Sequence, residues 1–397
     1  MAEAMPPRPL AAGRGSRNEA TRQHNLSTLL SLVHHRRSAS RADLTRATGL
    51  NRSTIGALVG DLAAAGLVEE TAPASGTVGR PSPIVRPSPR IGVIAVHPDV
   101  DAIVVGLVGL GGVVHARTRV PFEHVPSVDE AVATVRSVAA DLRDQAPQVE
   151  VVGAGVAVPG LVRTHDGVVA RAPHLLWSEE PLASSLEAAL GLPVAVDNDA
   201  NAALTAESLF GAGRDRSDLI YLNGSTSGIG GGVLVGGAVL RGAAGFAGEL
   251  GHTLVAGDGE RCHCGRHGCL ETEVNLQRLE AAAGPGGLDH DDLDTALAGD
   301  LPPALAAEID RQVDVLARAI ASFVSVFNPE TVVLGGFLGT LHALRTERLE
   351  ATMAALAFAP LADDLRIERA ALREDLLMVG ASELGFAPLL ADPLGAR

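Results

Sequence analysis

Lysine is absent from the 397-residue sequence, and all 32 basic residues are arginine. That excludes any chemistry that needs a lysine, including a Schiff base and the lysine of a Walker A loop. Aromatics are scarce, at 3%, so a core must rest on Val, Leu, Ile and Ala. Cysteine is nearly absent too, and the three that occur, Cys262, Cys264 and Cys269, are clustered. An odd, clustered set is no disulfide framework and suits a metal site better. Long apolar runs free of glycine or polar breaks are missing, so no transmembrane helix and no membrane partner are expected. The first twenty residues lack an apolar h-region, which excludes a signal peptide and gives a cytoplasmic protein as the expectation.

What is present is an ordinary globular balance, 46% hydrophobic and 20% charged, long enough for two or three domains. The net charge of −15 argues against non-specific nucleic-acid binding by the whole molecule. The average hides a split. Residues 1–90 hold 12 Arg and 6 acids, a net +6, while the other 307 hold 20 Arg and 41 acids, a net −21. A basic amino-terminal piece on an acidic body fits a DNA-binding head on a regulatory body. A basic tail without a role is the plainer alternative.

Residues 1–18 read as a disordered leader and 19–85 as a winged helix-turn-helix. Leu26, Leu29, Leu30 and Val33 recur at helical spacing. Ser40 suits the N-cap of a short helix, Gly49 breaks it, and Asn51 or Ser53 can cap a third helix running to about Ala65. In such a unit the start of the second helix of the pair reaches base edges in the major groove. Arg52 can pair with guanine and Asn51 with adenine, and Ser53 and Thr54 share that leading edge. Arg36, Arg37, Arg41 and Arg46 suit phosphate contacts. Leu67 and Val68 begin a wing strand, with a tip over Gly76–Pro83 that places Arg80 at the minor groove. Arg80–Pro89 reads as a Pro-rich linker. A small three-helix packing domain without DNA contact is the alternative.

Strands alternate with helices from Ile91 onward, an α/β body. The expected lobes are 90–200 and 201–380, with 381–397 returning to the first lobe. Three constellations carry chemistry. His252, Cys262, Cys264 and Cys269 have the ligand types of a closed, tetrahedral zinc site, with His263 or His267 able to replace His252. The run Asn223–Gly232, between two strands, reads as a Gly-rich loop able to cradle phosphate. Asn198, Asp199, Glu249, His252 and Glu271 suit a sugar, whose hydroxyls both donate and accept. Asp199 can also act as a general base toward one hydroxyl.

These residues fall in motifs that resemble the ROK family of sugar kinases and sugar-responsive repressors. The motifs are AVPG at Ala157–Gly160, VDNDAN at Val196–Asn201, GIGGG at Gly228–Gly232, GELGH at Gly248–His252 and CHCGRHGCLE at Cys262–Glu271. The resemblance spans about residues 90–390, and the head resembles that of the family's repressors. It implies an actin-like, duplicated ribonuclease-H-like fold with a sugar cleft between two α/β lobes. It also implies zinc at His252, Cys262, Cys264 and Cys269, and sugar contacts at Asn198, Asp199, Glu249, His252 and Glu271, with Asp199 the base position of the kinases.

Two departures matter. Where the kinases have an Asp-x-Gly-x-Thr turn for ATP phosphate, Pro98, Asp99, Val100 and Asp101 stand instead. The two carboxylates would repel phosphate, so useful kinase activity is not expected and no residue is assigned a catalytic role. His174 stands where relatives often show Asn, which leaves the sugar unidentified. The leading expectation is a sugar-responsive repressor of carbohydrate metabolism. It would bind a DNA operator as a homodimer or dimer of dimers, with a sugar or sugar phosphate as effector. The alternatives are a sugar kinase with a DNA-binding head, and an adaptor whose cleft takes a protein.

Overall fold

The computed structural model describes residues 14–71, 82–285, 287–288 and 293–395. The head consists of α1 (Arg14–Arg36), β1 (Ala39–Ser40), α2 (Arg41–Thr48), α3 (Arg52–Ala64), β2 (Val68–Thr71) and β3 (Ile84–Pro87). Ser40 and Asp43 form a capping box on α2, and Gly49, at φ +70, ends that helix. The side chain of Asn51 then caps α3. Ile55, Leu58, Val59 and Leu62 all point from α3 into the core against Leu29, Leu30 and Val33 of α1. The strands pair in the order β1-β3-β2, so three helices and a wing sheet stand as the sequence suggests.

Two head boundaries move. Helix α1 begins at Arg14, inside the segment read as leader, while residues 1–13 lie outside the described residues. The Pro-rich linker is also more structured than its composition suggests. Ile84–Pro87 is the central wing strand, with Val85 paired to both Ala39 and Glu70. Its prolines are tolerated because Pro83 lies just before the strand and Pro87 at its end. Arg80 and most of the expected wing tip lie outside the described residues.

The first lobe runs β4 (Ile91–Pro98), β5 (Ala102–Gly109), β6 (Val113–Pro121), α4 (Val128–Gln145), β7 (Glu150–Val158), β8 (Leu161–Arg163), β9 (Val168–Ala172), β10 (Trp177–Glu180), α5 (Leu182–Leu190), β11 (Val194–Asn198) and α6 (Asp199–Phe210). The second runs β12 (Leu219–Ser225), β13 (Gly228–Val235), β14 (Ala238–Val239), α7 (Leu270–Glu273), α8 (Leu276–Ala283), α9 (Leu293–Ala296), α10 (Pro303–Phe327), β15 (Thr331–Gly335), α11 (Gly336–Leu344), α12 (Thr346–Leu356), β16 (Arg366–Arg369) and α13 (Leu376–Ala391).

The main sheets of the two lobes share one plan. In the first, β6, β5 and β4 are antiparallel neighbours, and β7 and β11 continue parallel to β4. In the second, β14, β13 and β12 are antiparallel, and β15 and β16 continue parallel to β12. This repeated topology is the duplicated, actin-like two-lobed fold. Each lobe has its own apolar core, one around Ile94, Val156 and Trp177, the other around α10. Helix α13 ties the lobes together: it lies across α6, β4 and β7 of the first lobe in near-backbone contact, and its Leu376 and Val379 pack with Tyr221 and Val333 of the second. A Cβ on Gly155 would run into the Ala381 carbonyl, and one on Gly380 into that of Ala202. The helix therefore crosses the boundary drawn at residue 380.

The Gly-rich run is not the loop its composition suggests. Asn223–Ser225 completes β12 and Gly228–Gly232 opens β13, paired in register from Asn223–Gly230 to Ser225–Gly228. Only Thr226 and Ser227 remain as the turn.

Candidate functional site

The lobes enclose a cleft of about 1370 Å³, lined by Asn198, Asp199, Glu249, His252 and Glu271 together with His97, Gly160, His174 and His263. All five residues picked for a sugar therefore meet in one cavity. Strand β11 delivers Asn198 to the start of α6. Its Oδ1 accepts the Ala200 and Asn201 N–H groups at 2.9 and 3.1 Å, and its Nδ2 donates to the Gly160 carbonyl at 3.0 Å. Much of this amide's bonding capacity thus serves the helix and the neighbouring turn, and one Nδ2 proton stays free.

Asp199 follows at the first helical position, where the helix dipole favours a carboxylate. Burial nevertheless raises its pKa; His97 opposes the rise and Asp99 adds to it. The Nδ1 of His97 donates to the Ala157 carbonyl at 2.9 Å, which leaves Nε2 as an acceptor in the neutral ring. Behind this wall Asp197 is buried and paired with Arg241. His97 and Arg241 were not singled out from sequence, because each is an isolated residue whose role exists only through contacts distant in the chain.

His252 sits on a short turn, Leu250–His252, against β13. A Cβ on Gly251 would run into the Ile229 carbonyl, which explains the second glycine of GELGH. The His252 ring faces two ways. Nε2 lies 3.8 Å from Glu249, while Nδ1 lies 3.5 Å from the Cys262 sulfur and 3.3 Å from Glu271. A hydrogen bond to Glu271 raises the His252 pKa. Burial raises that of Glu249. For Glu271 burial acts upward, but His252 and Cys262 outweigh it and the net shift is downward.

The ligand atoms of His252, Cys262, Cys264 and Cys269 all lie within 4.8 Å of one another. The Cys264 and Cys269 sulfurs are 3.7 Å apart, far beyond a disulfide bond. A tetrahedral zinc has S–S edges of about 3.8 Å and N–S edges of about 3.6 Å, from bonds of about 2.3 and 2.05 Å. The observed 3.7 and 3.5 Å fit such an ion. His263 groups with His252, Cys262 and Glu271 and not with Cys264 and Cys269, and His267 lies on the exposed side, 3.3 Å from the Gly259 carbonyl. The set with His252 is therefore the one the geometry favours.

The β4–β5 turn carries no phosphate cradle. The Val100 N–H is taken by its neighbour Asp99 at 2.7 Å, and Asp99 N–H bonds the Ala102 carbonyl. Asp101 is paired with Arg119 at 2.7 Å. The repulsion expected from two carboxylates thus falls mainly to Asp99.

On the head, Arg52 and Ser53 are exposed at the start of α3 and Thr54 is half-buried. Arg52 has no side-chain partner among the described residues. Asn51 is engaged otherwise: its Oδ1 accepts from Thr54 N–H at 2.8 Å and from the Ser53 hydroxyl at 2.7 Å. The bidentate adenine contact expected of it needs that oxygen and conflicts with the cap. Arg41 is paired with Glu70 of the wing, Nη2 to Oε2 at 2.7 Å, and is not free for phosphate in this state.

A sequence model of the ROK family matches residues 93–386. The chain is 26% identical to the xylose repressor of Caldicellulosiruptor bescii over 390 residues, 94% of this chain and 98% of the relative. It is 32% identical to the glucokinase of Streptomyces coelicolor over 257 residues, 59% of this chain and 78% of the enzyme. Among solved structures it resembles a ROK family transcriptional regulator homologous to the E. coli MLC protein. There the TM-score is 0.76 and the identity 26%, with 94% of this chain and 98% of that chain covered.

Proposed function

The chain belongs to the ROK family, and on that premise we propose that it is a sugar-responsive, DNA-binding repressor of carbohydrate metabolism. The observation that carries this reading is the extent of the likeness. Xylose repressors match across the head and the body together, 94% of the chain, whereas the glucokinase matches 59%.

In this reading α3 enters the major groove, with Arg52, Ser53 and Thr54 at base edges and Arg80 on the wing. Two heads of a homodimer, or of a dimer of dimers, would meet a two-fold operator. Asp199, Glu249, His252 and Glu271 receive the hydroxyls of a sugar or sugar phosphate, and Asn198 positions Asp199 and the Gly160 turn. The ligand acts as a switch to the extent that it binds two arrangements of the lobes with different affinity. Zinc on Cys262, Cys264, Cys269 and the Nδ1 of His252 would supply folding energy to the second lobe. It would also fix the imidazole so that Nε2 faces the sugar. Such a protein acts in the cytoplasm, and no helix among the described residues is long and apolar enough to cross a membrane.

The test is binding to DNA from upstream of the chain's own gene, titrated with a sugar panel at fixed salt, because phosphate contacts make affinity salt-dependent. Specific binding changed by one sugar supports the reading, and absence of specific binding removes it. Asp199 in the cleft and the glucokinase likeness favour kinase activity as a second reading. Hexose-dependent ATP turnover that disappears in Asp199→Asn would establish it.

A further inference from the structure

The end of α1 docks into a notch made by three parts of the body. His34 is fully buried there. Its Nε2 lies 2.8 Å from Glu383 Oε1 on α13, and its Nδ1 accepts the Gly111 N–H at 2.8 Å. That second bond fixes the tautomer, since an Nδ1 that accepts leaves the proton on Nε2 for Glu383 to receive. His35 lies 3.6 Å from the other Glu383 oxygen. His34, His35 and Glu383 are close enough to suggest a metal site, but the Nε2 facing Glu383 is a donor, so the trio reads as a hydrogen-bonded joint.

Arg37 closes the notch, with Nε donating to the Gly111 carbonyl at 2.9 Å and its guanidinium 5.2 Å above the Phe210 ring. The His34 ring stands edge-on to Phe210 and Phe386, at 5.6 and 5.3 Å between centroids. The apolar layer beneath is continuous, with Leu30 and Val33 of the head packed in one cluster with Val93, Leu110, Phe386 and Leu389 of the body.

Phe210 is the last residue of α6, whose first residue is Asp199 in the cleft. Twelve helical residues span about 18 Å, so one helix has an end at each place. One turn before Phe210, the Glu207 carboxylate accepts the N–H groups of Ala212, Ala371 and Leu372 at 2.7 to 2.9 Å. This binds α6 to the chain entering α13, the helix that carries Glu383. We propose that this joint, His34 and Arg37 against Gly111, Phe210 and Glu383, is the coupling element through which the state of the cleft sets the orientation of the head, an inference that rests on the regulatory reading above.

Contiguous packing gives a route, and coupling has to be measured. Coupling is reciprocal, so it can be read without a ligand, by hydrogen exchange on the full-length chain. His34→Gln should change exchange at Ala200 and Asn201, at the cleft end of α6, by about five-fold or more. Asp199→Asn should change exchange over residues 30–36 comparably. Phe210→Leu serves as the milder joint variant if His34→Gln fails to fold. Leu62→Ala, in the head core away from the joint, is the control for general loosening. Changes confined to the mutated end, or an equal response of the cleft to Leu62→Ala, would overturn the proposal. DNA binding by the same variants is a separate readout: reciprocal exchange in a chain that binds no DNA keeps the joint and removes the repressor reading.

Discussion

His252 and Cys262 stand 3.5 Å apart, Nδ1 to Sγ, close to the N–S edge of a zinc tetrahedron. The same imidazole also lines the cleft, where its other nitrogen lies 3.8 Å from Glu249, three residues earlier on the same turn. Of the three thiols Cys264 ionises most readily, since burial raises the pKa values of Cys262 and Cys269. Burial opposes its ionisation, but hydrogen bonds from Arg266 outweigh this and bring the thiol down to about 6. Metal analysis should find about one zinc per chain. Cys264→Ser should lose the metal and lower the unfolding midpoint, because structural zinc contributes folding energy. A metal-free native protein with an unchanged midpoint would refute the site.

DNA affinity should separate Arg52 from Arg41. Arg52→Ala removes an exposed, unpaired guanidinium at the start of α3 and should cost about 1–3 kcal/mol, with relaxed specificity at one base position. Arg41 is already engaged by Glu70, and an ion pair so placed contributes about 0–1 kcal/mol to stability. Arg41→Ala should leave sequence preference unchanged. Gel-shift titrations on matched and single-base-altered sites decide it, and equal effects of the two substitutions would count against α3 as the reading helix.

Much of this was legible in the sequence for physical reasons. Capping residues are local, so Ser40, Gly49 and Asn51 placed α2 and α3 closely. Buried strands such as Val151–Val158 announce themselves by unbroken apolar runs. The His252, Cys262, Cys264 and Cys269 cluster is legible because soft ligands at short spacing have few other uses. Long-range pairing is different. Ile84–Pro87 became a wing strand because Ala39 and Glu70 flank it, and glycine content hid the strand character of Gly228–Gly232. Asn51 illustrates the limit at the site. Its residue type suits both a cap and an adenine contact, and only the geometry shows the oxygen already taken.

Asp199 gives a test of the cleft. Its half-buried carboxylate lines the cleft together with His97 and Glu249, where a sugar hydroxyl would find a strong acceptor. Hydrogen bonds to charged groups contribute about 1.5–3 kcal/mol, so Asp199→Asn should weaken sugar binding by roughly ten- to a hundred-fold. Calorimetry with the sugar identified from the panel measures it. The wild-type chain should turn over no ATP with that sugar, because the Val100 N–H is taken and the β4–β5 turn offers no phosphate cradle. Measurable hexose-dependent turnover would reverse that expectation.

Glu383 makes the head's attachment sensitive to acid. Burial raises its pKa, but the Nε2–H of His34 and the nearby His35 ring outweigh that and hold the carboxyl below its ordinary range. A carboxyl depressed in the folded state contributes stability that is fully present above its unfolded value of about 4.3 and is lost as pH falls toward the folded value. Glu383→Gln keeps the shape and an acceptor for His34 but removes the charge. At neutral pH it should cost about 1–3 kcal/mol. Below about pH 4 the unfolded wild type takes up a proton that folded Glu383, held at about 2, does not, so the difference between the two proteins should shrink as pH falls toward that value. Urea unfolding of both proteins between neutral pH and pH 3 measures this, and acid effects shared by other groups cancel in the difference. A gap independent of pH would mean that Glu383 contributes only its shape, and that the charged hydrogen bond to His34 does not hold the head in place.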